Sequence, residues 1–479
     1  MSNALNNVAK LVSIVTITEA SFGYSAAAAD HTASVQAAVD SFGAAGGEVI
    51  VPSKLRLIIG SNLTIKPNVT LRGPYAVTGS PQDNTSAPYG TMGGALLVSS
   101  TATITLKGGA SIAGLLLHRG GMTFPAADSS AFAGTAVYID GDDAGVFQCM
   151  FLGFGQAIAG SGRQRPRIYD NNIDCTAGIL IDNCADIVYV TRNHCWPFAT
   201  IAALGPATSL QRSGAAYKFT TLGDWNKLTD CFSYGYFRGF WINNCNSMTL
   251  LSCSADSTGA FAGQIGYVVD GTSTDTRLIA CQAAAQETGY FISTAAGVHT
   301  RLIGSDSWAC ANHGVLISSG DVGILGGIQR DTANGVTINN AASAVTIDGV
   351  RFNAISGSPI NAAVSNSNIR IESNDYGNLA AGVSVVNNAN RPVTSLASAD
   401  PINLPASGEL FNITGVTAFG TINGGWAGRR ITFKFAGALT VNDGGASLKL
   451  AGNFVTTADD TMTLMHDGTA WYELSRSVN

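Results

Sequence analysis

The chain has 479 residues, of which 46% are hydrophobic and only 12% charged, with 56 glycines and a formal net charge of −6. So much apolar material excludes a disordered chain, and an acidic balance argues against a nucleic-acid or anionic-membrane surface. No run approaches the ~20 consecutive apolar residues that a bilayer span requires.

In chain order, residues 11–17 follow a single Lys10, are interrupted by Ser13 and Thr16 and are followed by Glu19, which is not the pattern of a signal peptide. Val35, Ala38, Val39 and Phe42 form an i, i+3, i+4, i+7 stripe, so a short amphipathic helix is expected over residues 32–44, with Asp30 or Thr32 as its N-cap. Strand patterns follow at residues 46–52, 62–65 and 68–73. From Gly178 a unit recurs in which Gly is followed by apolar residues at +1 and +3. It starts at Gly178, Gly239, Gly266, Gly289, Gly314 and Gly335, with a weaker copy at Gly357. A second strand follows each copy from Gly239 on, as at Met248-Thr-Leu250 and Val345-Thr-Ile347. A unit of about 22 residues built of short strands and Asn/Gly turns cannot bury its own apolar face, but stacked copies can, which describes a parallel β-helix. Asn171-Asn172, Asp182-Asn183, Asn243-Asn244 and Asn339-Asn340 suit left-handed corners between strands.

Nine cysteines without any C-x2-4-C spacing provide neither a zinc knuckle nor a redox pair, and an odd count does not make a closed disulfide framework. Cys184 and Cys245 fall at one offset from their glycines, and Cys253 and Cys281 at nearly one, so buried thiols stacked in ladders are expected. Past residue 377 the period is lost and Pro392, Pro401 and Pro405 appear. Alternating strands separated by Asp443-Gly-Gly and Asp467-Gly turns then read as an antiparallel β-sandwich-like module.

The early run from Asp30 to Asp40, then Gly46-Gly-Glu-Val-Ile-Val-Pro52, then Asn68-Val-Thr-Leu-Arg-Gly73, resembles the start of the pectate-lyase-like superfamily of right-handed parallel β-helices, which includes many bacteriophage tailspikes. The stretch from Gly452 through Trp471-Tyr-Glu to Asn479 resembles a C-terminal domain of phage tailspikes and tail fibres. The resemblance implies an all-β chain in four parts. These are a particle-attachment segment (1–28), the capping helix and β-helix (29–376), a connector (377–405) and a C-terminal domain for trimerisation or receptor binding (406–479). It further implies a homotrimer in the phage tail, assembled in the host cytoplasm, attached to tail or baseplate proteins through its N-terminus. Such a protein binds a bacterial surface polysaccharide, capsule or O-antigen, and in many relatives degrades it. A non-catalytic receptor-binding or structural fibre is the alternative.

No nucleophile elbow, P-loop, Rossmann fingerprint or metal-binding His pair is present, so neither metal nor cofactor is expected. Glycan hydrolysis needs two carboxylates, one of them protonated. Asp256, Asp306 and Asp331 share an offset of 17 from Gly239, Gly289 and Gly314, and Glu287 lies between them in sequence; two of these four are the expected acid and base. Asp is also a common corner residue, so the shared offset fits Asx turns equally well. Trp225, Trp241, Trp308, His313 and Arg330 are the candidate substrate-binding groups, with Phe240 expected in the core and Trp241 outside it. Arg163, Arg165 and Arg167 lie on one side of an extended segment, available to an acidic glycan or to Asp170 or Asp174. Residues 196–214 lengthen one rung, and such insertions on solenoids commonly line the binding face. Hydrolysis is expected ahead of β-elimination.

Overall fold

The computed structural model describes residues 14–74, 93–200, 207–259, 261–362, 368–379, 386–387, 393–405, 408–444 and 447–479. Residues up to 387 form one compact unit and those from 393 on a second.

In each rung of the first unit the chain passes through three short strands, and each strand pairs in parallel with its equivalent one rung further on. The result is a right-handed parallel β-helix of three sheets, here called A, B and C, with 14, 13 and 13 strands. Register is held over many rungs. Tyr234 lies opposite Asp256, Ala284 opposite Trp308 and Trp308 opposite Arg330 on sheet B.

The repeated glycine has a steric cause. Gly239, Gly266, Gly289, Gly314 and Gly335 occupy one column of sheet C. A Cβ on any of the first four would lie 2.5–2.7 Å from the carbonyl oxygen of the next glycine, so no other residue fits that close approach. One residue on, Tyr217, Phe240, Tyr267 and Tyr290 stack inside the solenoid with centroids 4.7–4.8 Å apart and nearly parallel planes. The buried hydroxyls stay satisfied, since those of Tyr217, Tyr267 and Tyr290 donate to the carbonyls of Asn193, Cys253 and Cys281 at 2.6, 2.6 and 2.8 Å.

All nine cysteines are free thiols and buried. Cys231, Cys253 and Cys281 each precede a strand of sheet B in successive rungs and form a ladder, which Asn193 and Asn171 continue. The Asn171 amide donates to Asn193 Oδ1 at 2.8 Å. Cys184 and Cys245 do not touch in this way, because the intervening rung puts Leu222 between them. Asn183 and Asn244 adopt the left-handed corner conformation, with φ of 51° and 53°. At the Asn171-Asn172 position that role falls to Asp170, with φ of 60°.

The helix forms over Thr32–Asp40, shorter than the spacing predicts, and buries Thr32, Val35, Ala38 and Val39. His31 is the capping residue, and Asp30 acts from one position earlier by accepting the Thr32 N–H at 2.8 Å. Ile14–Thr16 pairs with Gly47–Ile50 as the first strand of sheet A, so residues from 14 on belong to the β-helix unit; residues 1–13 lie outside the described ones. No helix among the described residues is long and apolar enough to cross a membrane.

The second unit has its own core, centred on Phe411, Phe433, Phe435, Leu464 and Trp471. Arg430–Phe435, Thr461–His466 and Trp471–Ser477 pair antiparallel, as alternation predicts. The same sheet also carries parallel pairs, Thr394–Ala397 with Leu410–Thr414 and the latter with Arg430–Phe435. The strands Thr394–Ala397 and Ile402–Asn403 fall inside the segment read from sequence as a connector.

Candidate functional site

Alternation along sheet B decides which side chains meet solvent. In Ser254–Asp256 and Asp306–Trp308 the middle residue is enclosed and the flanking ones face outward. One outward column therefore runs Tyr234, Asp256, Ala284, Trp308, Arg330, and its neighbour Phe232, Ser254, Gln282, Asp306, Ile328.

Asp256 is half-buried, and burial raises its pKa, opposed only by the hydrogen bond that Oδ1 accepts from the Ser257 N–H at 2.7 Å. On one side lies Tyr234, whose ring packs on Trp196 at 4.2 Å between centroids, and whose own hydroxyl is pushed up by burial and then by the Asp256 charge. On the other side comes Ala284, which is buried at 3% exposure. Beyond it stands Trp308, with the Arg330 guanidinium 5.3 Å from its ring centroid. The column thus presents an aromatic face, a carboxyl with raised proton affinity, a buried alanine, a second aromatic face and a guanidinium paired with Asp331.

The aspartates that share a sequence offset do not share a column. Asp256 ends its strand, Asp306 begins its own, and Asp331 lies past the end of Ile328–Arg330 at a corner with φ of 53°. The offset fails because the passage from sheet C to sheet A differs in length: the equivalent residues Thr249, Arg301 and Gly323 lie 10, 12 and 9 residues after Gly239, Gly289 and Gly314. Asp256 and Asp306 face the same side two rungs apart, roughly 12 Å between Cα atoms by strand geometry. Asp306 Oδ1 accepts the Ile328 N–H at 2.8 Å. Asp331 pairs with Arg330 at 3.2 Å.

Glu287 lies one rung beyond Asp256, on the turn into sheet C. Its carboxylate accepts the Gly263 N–H and, at 3.1 Å, the Asn312 amide. His313 follows Asn312; burial lowers its pKa against the raising effect of Glu287, and its Nδ1 lies 2.9 Å from Thr337 Oγ1. The other two candidates lie elsewhere. Trp241 is on the outer face of sheet C, its ring covered by Lys218 Nζ at 4.1 Å and its indole N–H given to Asp270. Trp225, 65% exposed, stands at a corner before sheet A. Arg163, Arg165 and Arg167 are not free for an anion and do not pair with Asp170 or Asp174. Arg163 binds Asp140, Arg165 bridges Asp143 and Asp186, and Arg167 approaches Asp143.

Tyr234 belongs to the aromatic run from Phe232 to Trp241, whose exposed members the sequence offers as a saccharide platform, and Trp196 to the lengthened rung 196–214; what sequence reading missed is that the two rings pack on each other beside Asp256. Sequence reading also missed an enclosed ion pair. Asp174 and Arg212, both 0% exposed, meet at 2.7 Å, and the remaining guanidinium donors go to Thr200 Oγ1 and to the carbonyls of Ser209 and Gln211. Burial pushes the Asp174 carboxyl up and the Arg212 charge pulls it down. The pair lies under the loops that follow Arg119 and Cys195, where Phe132, Phe198, Met150 and Leu116 form a small apolar cluster outside sheet B. Among the described residues no group of three or more His, Cys, Asp and Glu side chains gathers as a metal site.

No family model matches this sequence, and no curated protein is similar to it. Among solved structures it is similar to a DFA-IIIase of Arthrobacter chlorophenolicus A6, at 12% identity and a TM-score of 0.49, over 72% of this chain and 94% of that one. It is similar also to the enzymatically active domain of bacteriophage CBA120 tailspike protein 2, at 12% identity and a TM-score of 0.46, over 97% and 70%. A double mutant of the tailspike protein of E. coli bacteriophage HK620, in complex with a pentasaccharide, gives 10% identity and a TM-score of 0.45 over 98% and 93%. The likeness is one of fold.

Proposed function

We propose that this chain is a tailspike that binds a bacterial surface polysaccharide, capsule or O-antigen, along the outer face of sheet B and hydrolyses it there. The observation that carries the reading is the outward column around Asp256. A carboxyl that holds its proton above the ordinary range, with an aromatic residue on either side along the column, combines a general acid with stacking surfaces for sugar rings. In this reading Asp256 protonates the leaving oxygen and Asp306 acts as base on the attacking water, giving an inverting reaction. Trp308 and Tyr234 stack sugar rings, with Arg330, already paired with Asp331, packed against Trp308. Glu287, held by Gly263 and Asn312, is the base if Asp306 is not.

A second reading is binding without cleavage. It is favoured by the Cα separation of Asp256 and Asp306, which strand geometry puts at roughly 12 Å, beyond the ~6.5–9.5 Å between the carboxyl groups of inverting enzymes. The deciding experiment is incubation with purified polysaccharides from a bacterial panel. New reducing ends without unsaturated uronate indicate hydrolysis, unsaturated uronate indicates a lyase, and retention on an immobilised polysaccharide without any cleavage indicates the second reading.

Assembly as a homotrimer belongs to the same proposal, with residues 1–28 attaching to the phage particle and 406–479 assisting trimerisation. It is supported by an apolar row on the outer face of sheet A. Leu251, Ile279, Ile303 and Leu325 lie in register over four rungs, with the two leucines 40% and 38% exposed. Copies related by rotation about an axis along the solenoid would set such rows at the same height. Light scattering should then give three times the chain mass, and Leu251→Lys with Leu325→Lys should give the single chain; a wild-type monomer at micromolar concentration removes the trimer from the proposal.

A further inference from the structure

Beside the Asp256 column, on the turn from sheet B to sheet C, lies a cavity of about 440 Å³ lined by Ser129, Gln211, Arg212, Ser213, Phe237 and Phe261. Its volume is that of a small-ligand site, and it is a cleft open to solvent, not an enclosed cavity. Three separate insertions wall it: the loop after Arg119 brings Ser129, the loop before Arg212 brings Gln211, and the loop after Asp256 brings Phe261.

The wall chemistry is specific. Phe237 and Phe261 stand 6.2 Å apart with planes inclined by 31°. Phe237 is held from behind by the Arg238 guanidinium, 4.0 Å from its ring centroid, which donates to the Phe237 and Gly263 carbonyls. Neither Phe has a polar tip, so both offer carbon surface only. Arg212 brings no free charge, because Asp174 neutralises it and its donors are all taken. Asp128, next to Ser129 and within electrostatic reach of Arg212, and Glu287, bound to the Gly263 N–H, add negative charge nearby. Against Asp128 and Glu287 stands the single charge of Arg238 beside Phe237, so one negative charge is left over and an anion is disfavoured. Hydroxyl and amide groups of Ser213 and Gln211 supply hydrogen bonds at its rim.

We infer that this cavity is a side subsite for one neutral sugar residue carrying a methyl-bearing substituent, 6-deoxy or N-acetyl, with the methyl group against the carbon surface that Phe237 and Phe261 present together. The inference rests on the reading of the chain as a glycan-binding protein and names part of its specificity. Because Phe261 is carried by the loop that starts directly after Asp256, a branch held in the cavity would fix the register of the main chain over the acid.

Saturation-transfer difference NMR on the full chain tests this with three probes, the methyl glycosides of a 6-deoxyhexose, an N-acetylhexosamine and a hexuronate. Transfer to the methyl protons of the 6-deoxyhexose or the N-acetylhexosamine is expected, with none to the hexuronate. Ser213→Trp, at an exposed position on the rim, should fill the cavity and reduce the transfer at least fivefold, as should Phe261→Ala, while Asp256→Asn should leave it unchanged. Equal transfer in wild type and Ser213→Trp, equal response to the hexuronate, or no response to any probe overturns the inference. The functional reading fails separately: cleavage of a polysaccharide with no cavity signal removes only the subsite, and a cavity signal with no polysaccharide bound or cleaved removes only the tailspike reading.

Discussion

The outward column of sheet B passes through His118, Leu152 and Asp174 in its first half and through Tyr234, Asp256, Trp308 and Arg330 in its second. The strands are alike, the pairing is parallel throughout and each position is repeated at one rung step. Yet the first half is roofed by the loops after Arg119 and Cys195 and has become a second, small core with an enclosed ion pair, whereas the second half is open to solvent. In a solenoid the backbone makes positions equivalent, and loop length decides which of them become interior and which become chemistry. The same desolvation acts on opposite charges in the two halves: it lowers the His118 pKa to about 4 and raises that of Asp256.

The sharpest way to break the roofed half is Arg212→Met, which leaves the Asp174 charge enclosed without its partner. A loss of about 3–5 kcal/mol in chemical denaturation is expected, and the double variant Asp174→Leu with Arg212→Met should recover much of it. A loss under about 1 kcal/mol would mean that water reaches the pair. In the open half, Asp256→Asn should lower kcat by ~100-fold or more on a polysaccharide that the wild type degrades, with binding retained. Unchanged turnover would move the acid to Glu287, Asp306 or Asp331. Trp308→Ala should weaken polysaccharide binding by about 2- to 10-fold, read by titration calorimetry, as befits one aromatic contact of ~0.5–1.5 kcal/mol.

The smallest effects concern pH and have opposite signs in the two halves. His118 stays neutral in the fold until about pH 4, while its unfolded form takes a proton near its ordinary value of 6.5. Stability is therefore lost as pH falls from 6.5 towards 4, and His118→Gln should flatten that part of the curve. Asp256 has a raised folded pKa, so its ionised form costs stability above its ordinary value of 3.8, and acid relieves the cost. Asp256→Asn should accordingly raise the melting temperature at pH 7 and give no gain below pH 3.8. A gain that persists in acid would assign the effect to packing instead of charge.

The repeat was legible because its cause is local and recurs. From Gly239 to Gly335 each rung has a glycine where two backbones approach, an apolar residue on either side of an outward one, and many rungs a left-handed corner, so Gly239, Phe240 and Asn244 announce themselves. Residue-level burial followed from period-two alternation, which placed Phe240 inside and Trp241 outside. Asp256 was legible only as one acid in a set of four, for a reason that did not hold, since Asp256, Asp306 and Asp331 occupy three different columns. The packing of Tyr234 on Trp196 and the Asp174–Arg212 pair gave no signal, because the partners lie 38 residues apart across rungs whose lengths differ.

The sequence by itself determined the β-helix, the position of its capping helix, the burial of its thiols and the presence of a second β unit, because strand alternation, glycine spacing and turn residues act within one rung or between neighbouring ones. Only the tertiary structure decided which outward positions are covered, which acids share a face and where a cavity opens. Those depend on how far each inserted loop reaches over its neighbours, and a loop's path is set by long-range contacts such as Arg212 on Asp174 and Gly263 on Glu287, which local spacing does not encode.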